Sequence, residues 1–199
     1  MKIKPLQLEG CFEILLEPHF DWRGYFMRTY DQETFRAHGL TTDWVQENQS
    51  LTLEYGTIRG LHFQIPPFSE TKLVRALLGS VMDVFVDLRK DSPTFRQWAS
   101  VELSDSKFNL VYIPKGFAHG FCALSQNSIV SYHVDACYAP HAEGGLNWND
   151  GDIKIEWPIS APKVSDKDLA LPFLCQFDSP FTMSDIYHRS MPKTERAHV

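Results

Sequence analysis

The sequence predicts an all-β domain, a barrel or sandwich with a few short peripheral helices. Apolar and polar residues alternate in short runs from about residue 10 to residue 157, with Gly, Pro, Asp and Ser clusters between the runs. Aromatic residues make up 13 % of the chain, 14 of them Phe, and such side chains suit a half-buried pleated surface. Helical periodicity is scarce. With 199 residues and 43 % apolar content the chain is long enough for one sizeable core, so residues 1–199 read as a single domain. Residues from about 176 to 199 form a C-terminal extension of it.

The period of two is clearest from Ser80 to Arg89. There Met82, Val84, Val86 and Leu88 make an apolar face, and Asp83 and Asp87 lie on the other. Lys107 to Pro114 and Ser128 to Asp135 read as further strands. One short helix is expected at Asp31-Gln32-Glu33-Thr34-Phe35-Arg36-Ala37-His38, with Asp31 as its cap and Gly39 as its stop. A second begins at Ser165. The polar stretch from Pro192 to Val199 is expected to be loose.

A net charge of −6 argues against non-specific nucleic-acid binding, which needs a basic field, but a few local Arg and Lys can still bind a phosphate. No apolar run approaches the roughly 18 residues of a membrane-spanning helix, and Met1-Lys2-Ile3-Lys4-Pro5 opens no signal-like segment. Cys11, Cys122, Cys137 and Cys175 are scattered and fit reduced thiols. A cytoplasmic protein without nucleic-acid or membrane partners is expected.

Two stretches concentrate the chemistry: Gly56 to Gln64 followed by Glu70-Thr71-Lys72, and Pro114 to Phe121. Val130, Tyr132 and Val134 share one strand face. Taken alone, that strand would hold an ordinary core tyrosine with its hydroxyl satisfied. His62, on the parity of Ile58, Gly60 and Gln64, and Lys72, on the parity of Val74, Ala76 and Leu78, change the reading. An ammonium is rarely buried without a partner, so a His, a Lys and a Tyr that all face inward point to a catalytic or binding cavity. Arg59 would face away from His62 in a regular strand, so either the strand is bulged there or Arg59 serves from the rim. Asp168 has two readings. Ser165-Asp166-Lys167-Asp168 is the pattern of a helix capping box, and the same carboxylate could instead serve a site.

Pro114, Gly116 and His119 resemble the second sequence motif of the cupin superfamily, whose first motif usually has His-x-His. Here that motif is His62-Phe63-Gln64. His62, His119 and Glu70 then form a poor ligand set beside the Lys72 cation, so no metal is expected. The resemblance implies a jelly roll with its metal site lost.

More specifically, the chain resembles the dTDP-4-dehydrorhamnose 3,5-epimerases and related nucleotide-sugar epimerases. The matching segments run in order through Asp21-Trp22-Arg23-Gly24-Tyr25-Phe26, Gln46 to Ser50, Arg59 to Gln64, Lys72 to Arg75, Asp87 to Phe95, Ile113 to Phe121, Glu143 to Asp150, Ile155 to Pro158 and Ser165 to Asp168. The resemblance implies a homodimer that acts on a nucleotide sugar without a cofactor. It makes His62 the base, Asp168 its partner, Tyr132 the opposing acid and Lys72 the group that stabilises an enolate oxygen. It assigns Arg23, Arg59 and Lys167 to diphosphate and sugar, Gln46, Asn48 and His119 to polar sugar contacts, and Tyr138 and Glu143 to substrate-contacting positions. His19, His38, His133, His141, His188 and His198 are expected at the surface.

Phe26-Met27-Arg28 departs from the Phe-Glu pair usual in that family, in a part of the site often contributed across the dimer. A guanidinium there exchanges acceptors for donors. It points to another nucleobase or sugar, or to an exposed residue without consequence. The expected reaction is inversion at C3, at C5 or at both, on a 4-keto-6-deoxyhexose nucleotide. The rivals are a 3,4-ketoisomerase on a similar sugar nucleotide and a non-catalytic nucleotide-sugar-binding protein.

Overall fold

The structure is a computed structural model that describes residues 1–186. His188, His198 and the stretch from Pro192 to Val199 lie outside the described residues. In chain order the elements are β1 (Lys2–Pro5), β2 (Phe12–Leu15), β3 (His19–Asp21), β4 (Gly24–Phe26), α1 (Gln32–Ala37), β5 (Gln46–Thr52), β6 (Ile58–Gln64) and β7 (Lys72–Leu78). They continue as β8 (Ser80–Asp87), β9 (Trp98–Ser104), β10 (Asn109–Ile113), β11 (Phe117–Ala123), β12 (Ser128–Val134), β13 (Glu143–Gly145) and α2 (Asp166–Leu169).

Two antiparallel sheets stack face to face as a jelly roll. One has the order β1-β2-β10-β7-β12-β5 and the other β13-β6-β11-β8-β9, while β3 and β4 form a separate hairpin. The helix readings hold: Asp31 caps α1 by accepting from the Thr34 amide, and Gly39 follows with φ +71°. The strand limits differ from the sequence expectation. The strands begin at Lys2 and end at Gly145; Leu146 still exchanges two backbone hydrogen bonds with Leu61, and residues 147–157 cover the second sheet.

Three apolar layers explain why face assignment from periodicity alone falls short. The barrel interior holds Val74, Ala76, Val81, Phe85, Val111, Phe117, Phe121 and Val130 from both sheets. The outer face of the six-stranded sheet packs under α1 through Leu73, Leu110, Tyr112 and Phe35. The outer face of the five-stranded sheet is covered too, with Val84, Val86 and Leu88 packed against Leu146, Ile153, Leu174 and Phe181. The apolar face of β8 read from the sequence is therefore this outer one. The face carrying Asp83 and Asp87 turns into the barrel, where both carboxylates are fully buried.

Asp87 accepts from Arg89 through Nε at 2.8 Å and Nη2 at 2.7 Å, and from the Ser92 and Thr94 hydroxyls. The buried guanidinium also lies over the Phe117 ring, 4.5 Å from its centroid. This end of the barrel is closed by its own polar network, which leaves the other end open for a site.

The described part of the C-terminal extension, up to residue 186, packs on the core through Phe177 and Phe181. Phe181 is fully buried and packs edge-on against Phe63, while Phe177 stacks at a tilt on the same ring. The Lys90 amide donates to the Phe181 carbonyl and the Ser179 hydroxyl donates to the Leu88 carbonyl.

Candidate active site

A cavity of about 660 Å³ opens between the sheets. His62, Gln64 and Arg59 reach it from β6, His119 from β11, Lys72 from β7, Tyr132 from β12, and Gln46 and Asn48 from β5. Tyr138, Glu143, Lys167 and Asp168 complete the mouth. Eleven of the thirteen sequence-proposed residues thus converge on one cavity.

Local backbone geometry explains how Arg59 joins His62. β6 pairs with β11 through His62 opposite His119 and Arg59 opposite Phe121, so β6 carries one extra residue between those pairs. The bulge falls at Gly60 and Leu61. Gly60 has φ +129°, and a Cβ there would come within 2.6 Å of Gly120 Cα. Arg59 is then held by its Nε donating to Thr52 Oγ1 at 3.0 Å and its Nη2 to the Leu51 carbonyl at 3.1 Å.

His62 and Asp168 are bonded, Nε2 to Oδ1 at 2.7 Å. A carboxylate only accepts, so Nε2 carries the proton and the Nδ1 lone pair is left for a substrate. Burial pulls the His62 pKa below its ordinary value. The hydrogen bond and charge of Asp168 oppose that, while Lys72 and Lys167 add to the lowering. The imidazole is neutral at neutral pH and able to accept a proton.

The two readings of Asp168 prove compatible, because they use different atoms. The Ser165 hydroxyl accepts from the Asp168 amide at 3.2 Å, which caps α2, while the Asp168 carboxylate turns to His62 and to the Gly60 amide at 3.1 Å. It is half of a capping box.

Tyr132 enters from the sheet opposite to that of His62. Among the described residues its hydroxyl has no hydrogen-bond partner. Burial is the main cause raising the Tyr132 pKa, with Glu70 adding to it, so the phenol keeps its proton. Lys72 Nζ lies 3.2 Å from Glu70 Oε1, and Lys167 Nζ donates to Glu143 Oε1 at 2.8 Å. The Tyr138 hydroxyl donates to the other Glu143 oxygen at 2.9 Å. Among the described lining residues, Arg59 is then the cation held only by neutral acceptors, and so the one most free to meet an anion.

Arg23 and Arg28 are the exceptions to the sequence assignment. Both lie outside this cavity, Arg23 bound to Asp21 and Arg28 near Asp31 at 3.4 Å, each largely exposed. Their position on and just after the β3–β4 hairpin keeps them from the site of their own chain.

Sequence reading missed three supporting residues. Asp83 bonds His119, and its signal was an acid sharing the strand face of Val81 and Phe85. Glu70 pairs with Lys72 rather than serving as a ligand candidate. Gln64, standing where the cupin motif has its second His, ties β6 to the Tyr138 loop by accepting from the Ala139 amide and donating to the Cys137 carbonyl.

Fold and cavity together define a cupin-type jelly roll with an acid–base pocket. Residues 5–176 match the family model of dTDP-4-dehydrorhamnose 3,5-epimerase. A Salmonella typhimurium protein of that name is 45 % identical over 167 residues, 82 % of this chain and 91 % of the relative. The crystal structure of dTDP-4-dehydrorhamnose 3,5-epimerase from Bacillus anthracis, with TDP and PPi bound, is similar at 43 % identity and a TM-score of 0.85, covering 87 % of this chain and 99 % of that one. A 3'-monoepimerase from Streptomyces bikiniensis, in complex with dTDP-quinovose, is similar at 32 % identity and a TM-score of 0.81, covering 86 % and 87 %. The chain belongs to the dTDP-4-dehydrorhamnose 3,5-epimerase family, whose members are isomerases.

Proposed function

We infer that this protein converts dTDP-4-dehydro-6-deoxy-D-glucose to dTDP-4-dehydro-L-rhamnose by inverting C3 and C5. The observation that carries the reading is the opposition of His62, paired with Asp168, to a protonated Tyr132 across one cavity. Both carbons flank the C4 carbonyl, so each C–H is acidified through an enolate. His62 Nδ1 takes the proton, the C–H electrons move into the C3–C4 or C4–C5 bond, and the carbonyl oxygen becomes the enolate oxygen. Lys72, on the cavity wall, supplies the cation that stabilises that oxygen. Tyr132 gives a proton from the opposite face; the His62 imidazolium then releases its extra proton to solvent and the Tyr132 phenolate takes one back, which resets both groups.

Arg59 and Lys167 bind the diphosphate through charge-assisted hydrogen bonds. Gln46, Asn48, His119, Tyr138 and Glu143 surround the sugar. Arg23 and Arg28 serve a second copy of the chain. Phe20, Trp22, Tyr25 and Phe26 stand exposed on the same hairpin, with Trp22 93 % exposed, and this supports a homodimer that covers them. No helix among the described residues is long and apolar enough to cross a membrane. The four free thiols fit a reducing compartment, the cytoplasm.

The test is turnover of the 4-keto-6-deoxyglucose nucleotide in D₂O. Deuterium should enter at both C3 and C5. Absence of exchange at either carbon, with other nucleotide forms also inert, overturns the reading. Exchange at C3 alone would favour a monoepimerase, a second reading suggested by the likeness to the 3'-monoepimerase. Light scattering of the purified protein, expected at the mass of a dimer, tests the assembly.

A further inference from the structure

His119 stands opposite His62 in the β6–β11 pairing, so the two imidazoles are direct cross-strand neighbours. Its Nε2 lies 2.9 Å and 3.1 Å from the two oxygens of Asp83, on the adjacent strand β8. Asp83 is fully buried, and its strand-face neighbours Val81 and Phe85 are apolar. Among the described residues His119 is the only hydrogen-bond partner of its carboxylate. A buried carboxylate is costly without a donor, so this one needs the imidazole N–H. His119 Nδ1 has no partner among the described residues, while the ring lines the cavity.

We propose that Asp83 is a positioning residue for the reaction: it pins the proton of His119 on Nε2, so that Nδ1 faces the cavity as a lone-pair acceptor for a hydroxyl of the bound hexose. The proposal rests on the nucleotide-hexose reading of the cavity. It extends that reading by giving His119 a fixed hydrogen-bonding sense and giving that sense a cause. Asp83 and Asp168 then play parallel parts. Each holds the Nε2 proton of one of two neighbouring imidazoles, one ring accepting a C–H proton and the other receiving an O–H. A hydroxyl donated to His119 would fix the rotation of the sugar ring over His62, which decides which carbon is presented to the base.

Imidazole nitrogen shifts of the ¹⁵N-labelled, substrate-free protein test the tautomer without any need for turnover. His119 should show a protonated Nε2 and an unprotonated Nδ1 near neutral pH. The reverse tautomer, or two protonated nitrogens, overturns the proposal even if epimerase activity is found. Asp83→Asn supplies a second arm, because an amide can donate to Nε2 and impose the wrong tautomer. The expected result is a changed His119 pattern, an unchanged His62 pattern, and a KM for the sugar nucleotide raised about tenfold, with kcat affected less. A lowered melting temperature with KM and the His119 tautomer both intact would reduce Asp83 to a structural residue. Should Asp83→Asn fail to fold, the wild-type spectrum still decides. If the wild-type protein turns over no nucleotide sugar while the tautomer is as expected, the function fails and the fixed acceptor stands.

Discussion

Asp168 joins His62 to the main chain beside it: one carboxylate oxygen takes the His62 Nε2 proton at 2.7 Å and the other takes the Gly60 amide at 3.1 Å. Because Gly60 sits in the β6 bulge, a single carboxylate fixes both the His62 ring and the backbone irregularity that aims it. Asp168→Asn should keep the fold and lose most of the turnover. An amide can present its NH₂ to Nε2 and move the imidazole proton to the nitrogen that must act, an exchange that costs about 10⁴ in kcat in the serine-protease dyad. Here a fall of about 10³-fold or more in kcat is expected, with little change in the melting temperature. His62→Ala should abolish deuterium exchange altogether.

The acid limb of kcat/KM should lie below the ordinary imidazole value of about 6.5, since burial disfavours the charged ring in the free enzyme. Lys167 adds to that lowering, so Lys167→Met should move the limb to higher pH while also weakening substrate binding. The sign for stability follows from the same depression. The folded protein binds this proton more weakly than the unfolded chain, so the His62 contribution is complete above about pH 6.5 and erodes as the pH falls through the lower folded value. A pH series of kcat/KM and of denaturant midpoints, on the wild type and on Lys167→Met, reads both.

Tyr132→Phe separates proton removal from proton return. With the phenol gone, His62 can still open the C–H bond and close it again from the same face, so deuterium should continue to enter. Inversion should fall by about 10²- to 10⁴-fold, the usual worth of a positioned general acid. The ratio of exchanged to inverted sugar, followed by NMR, is the measurement. Equal losses of both would mean that Tyr132 does not act as the returning acid.

His62, Lys72 and Tyr132 were legible in the sequence because each breaks the apolar pattern of an inward strand face, and burying such groups together needs a purpose. Asp168 was legible only through resemblance, since local pattern favoured a helix cap. Arg59 was ambiguous because one inserted residue reverses parity, and a bulge leaves no mark beyond its glycine. Asp83 was missed for a different reason. A strand whose two faces are both buried shows its more apolar face most strongly, and here that face lies outside the barrel. Arg23 and Arg28 do not reach the His62 cavity of their own chain. Under the proposed dimer each would act on the second copy, and in its own subunit such a residue looks like any exposed cation.

Gly60 is the point where a single methyl group should do most damage. Its φ of +129° is costly for any residue with a side chain, and the added Cβ would press on Gly120 Cα at 2.6 Å and the His119 carbonyl at 3.0 Å. Both neighbours are backbone and cannot turn aside. Gly60→Ala should destabilise the protein by about 3 kcal/mol, counting strain and the forced separation of β6 from β11. It should also lower activity beyond the loss of folded protein, because Arg59 and His62 flank the displaced residue. Thermal melts and kcat on the folded fraction distinguish the two effects.

The described part of the C-terminal extension can be tested as part of the core. Phe181 lies beyond the last residue matched to the family model, yet it is fully buried against Phe63, whose neighbour His62 lines the cavity. Phe181→Ala should cost about 3–5 kcal/mol, the usual range for emptying a buried aromatic site. An appendage would lose almost nothing on the same change. The void left behind lies in the outer apolar layer around Phe63, a residue that also lines the edge of the site, whereas His62, Lys72 and Tyr132 face inward. Those molecules that remain folded should therefore keep kcat within about twofold, a change worth less than half a kcal/mol. Equilibrium unfolding in urea, with kcat measured well below the midpoint, separates loss of packing from loss of chemistry.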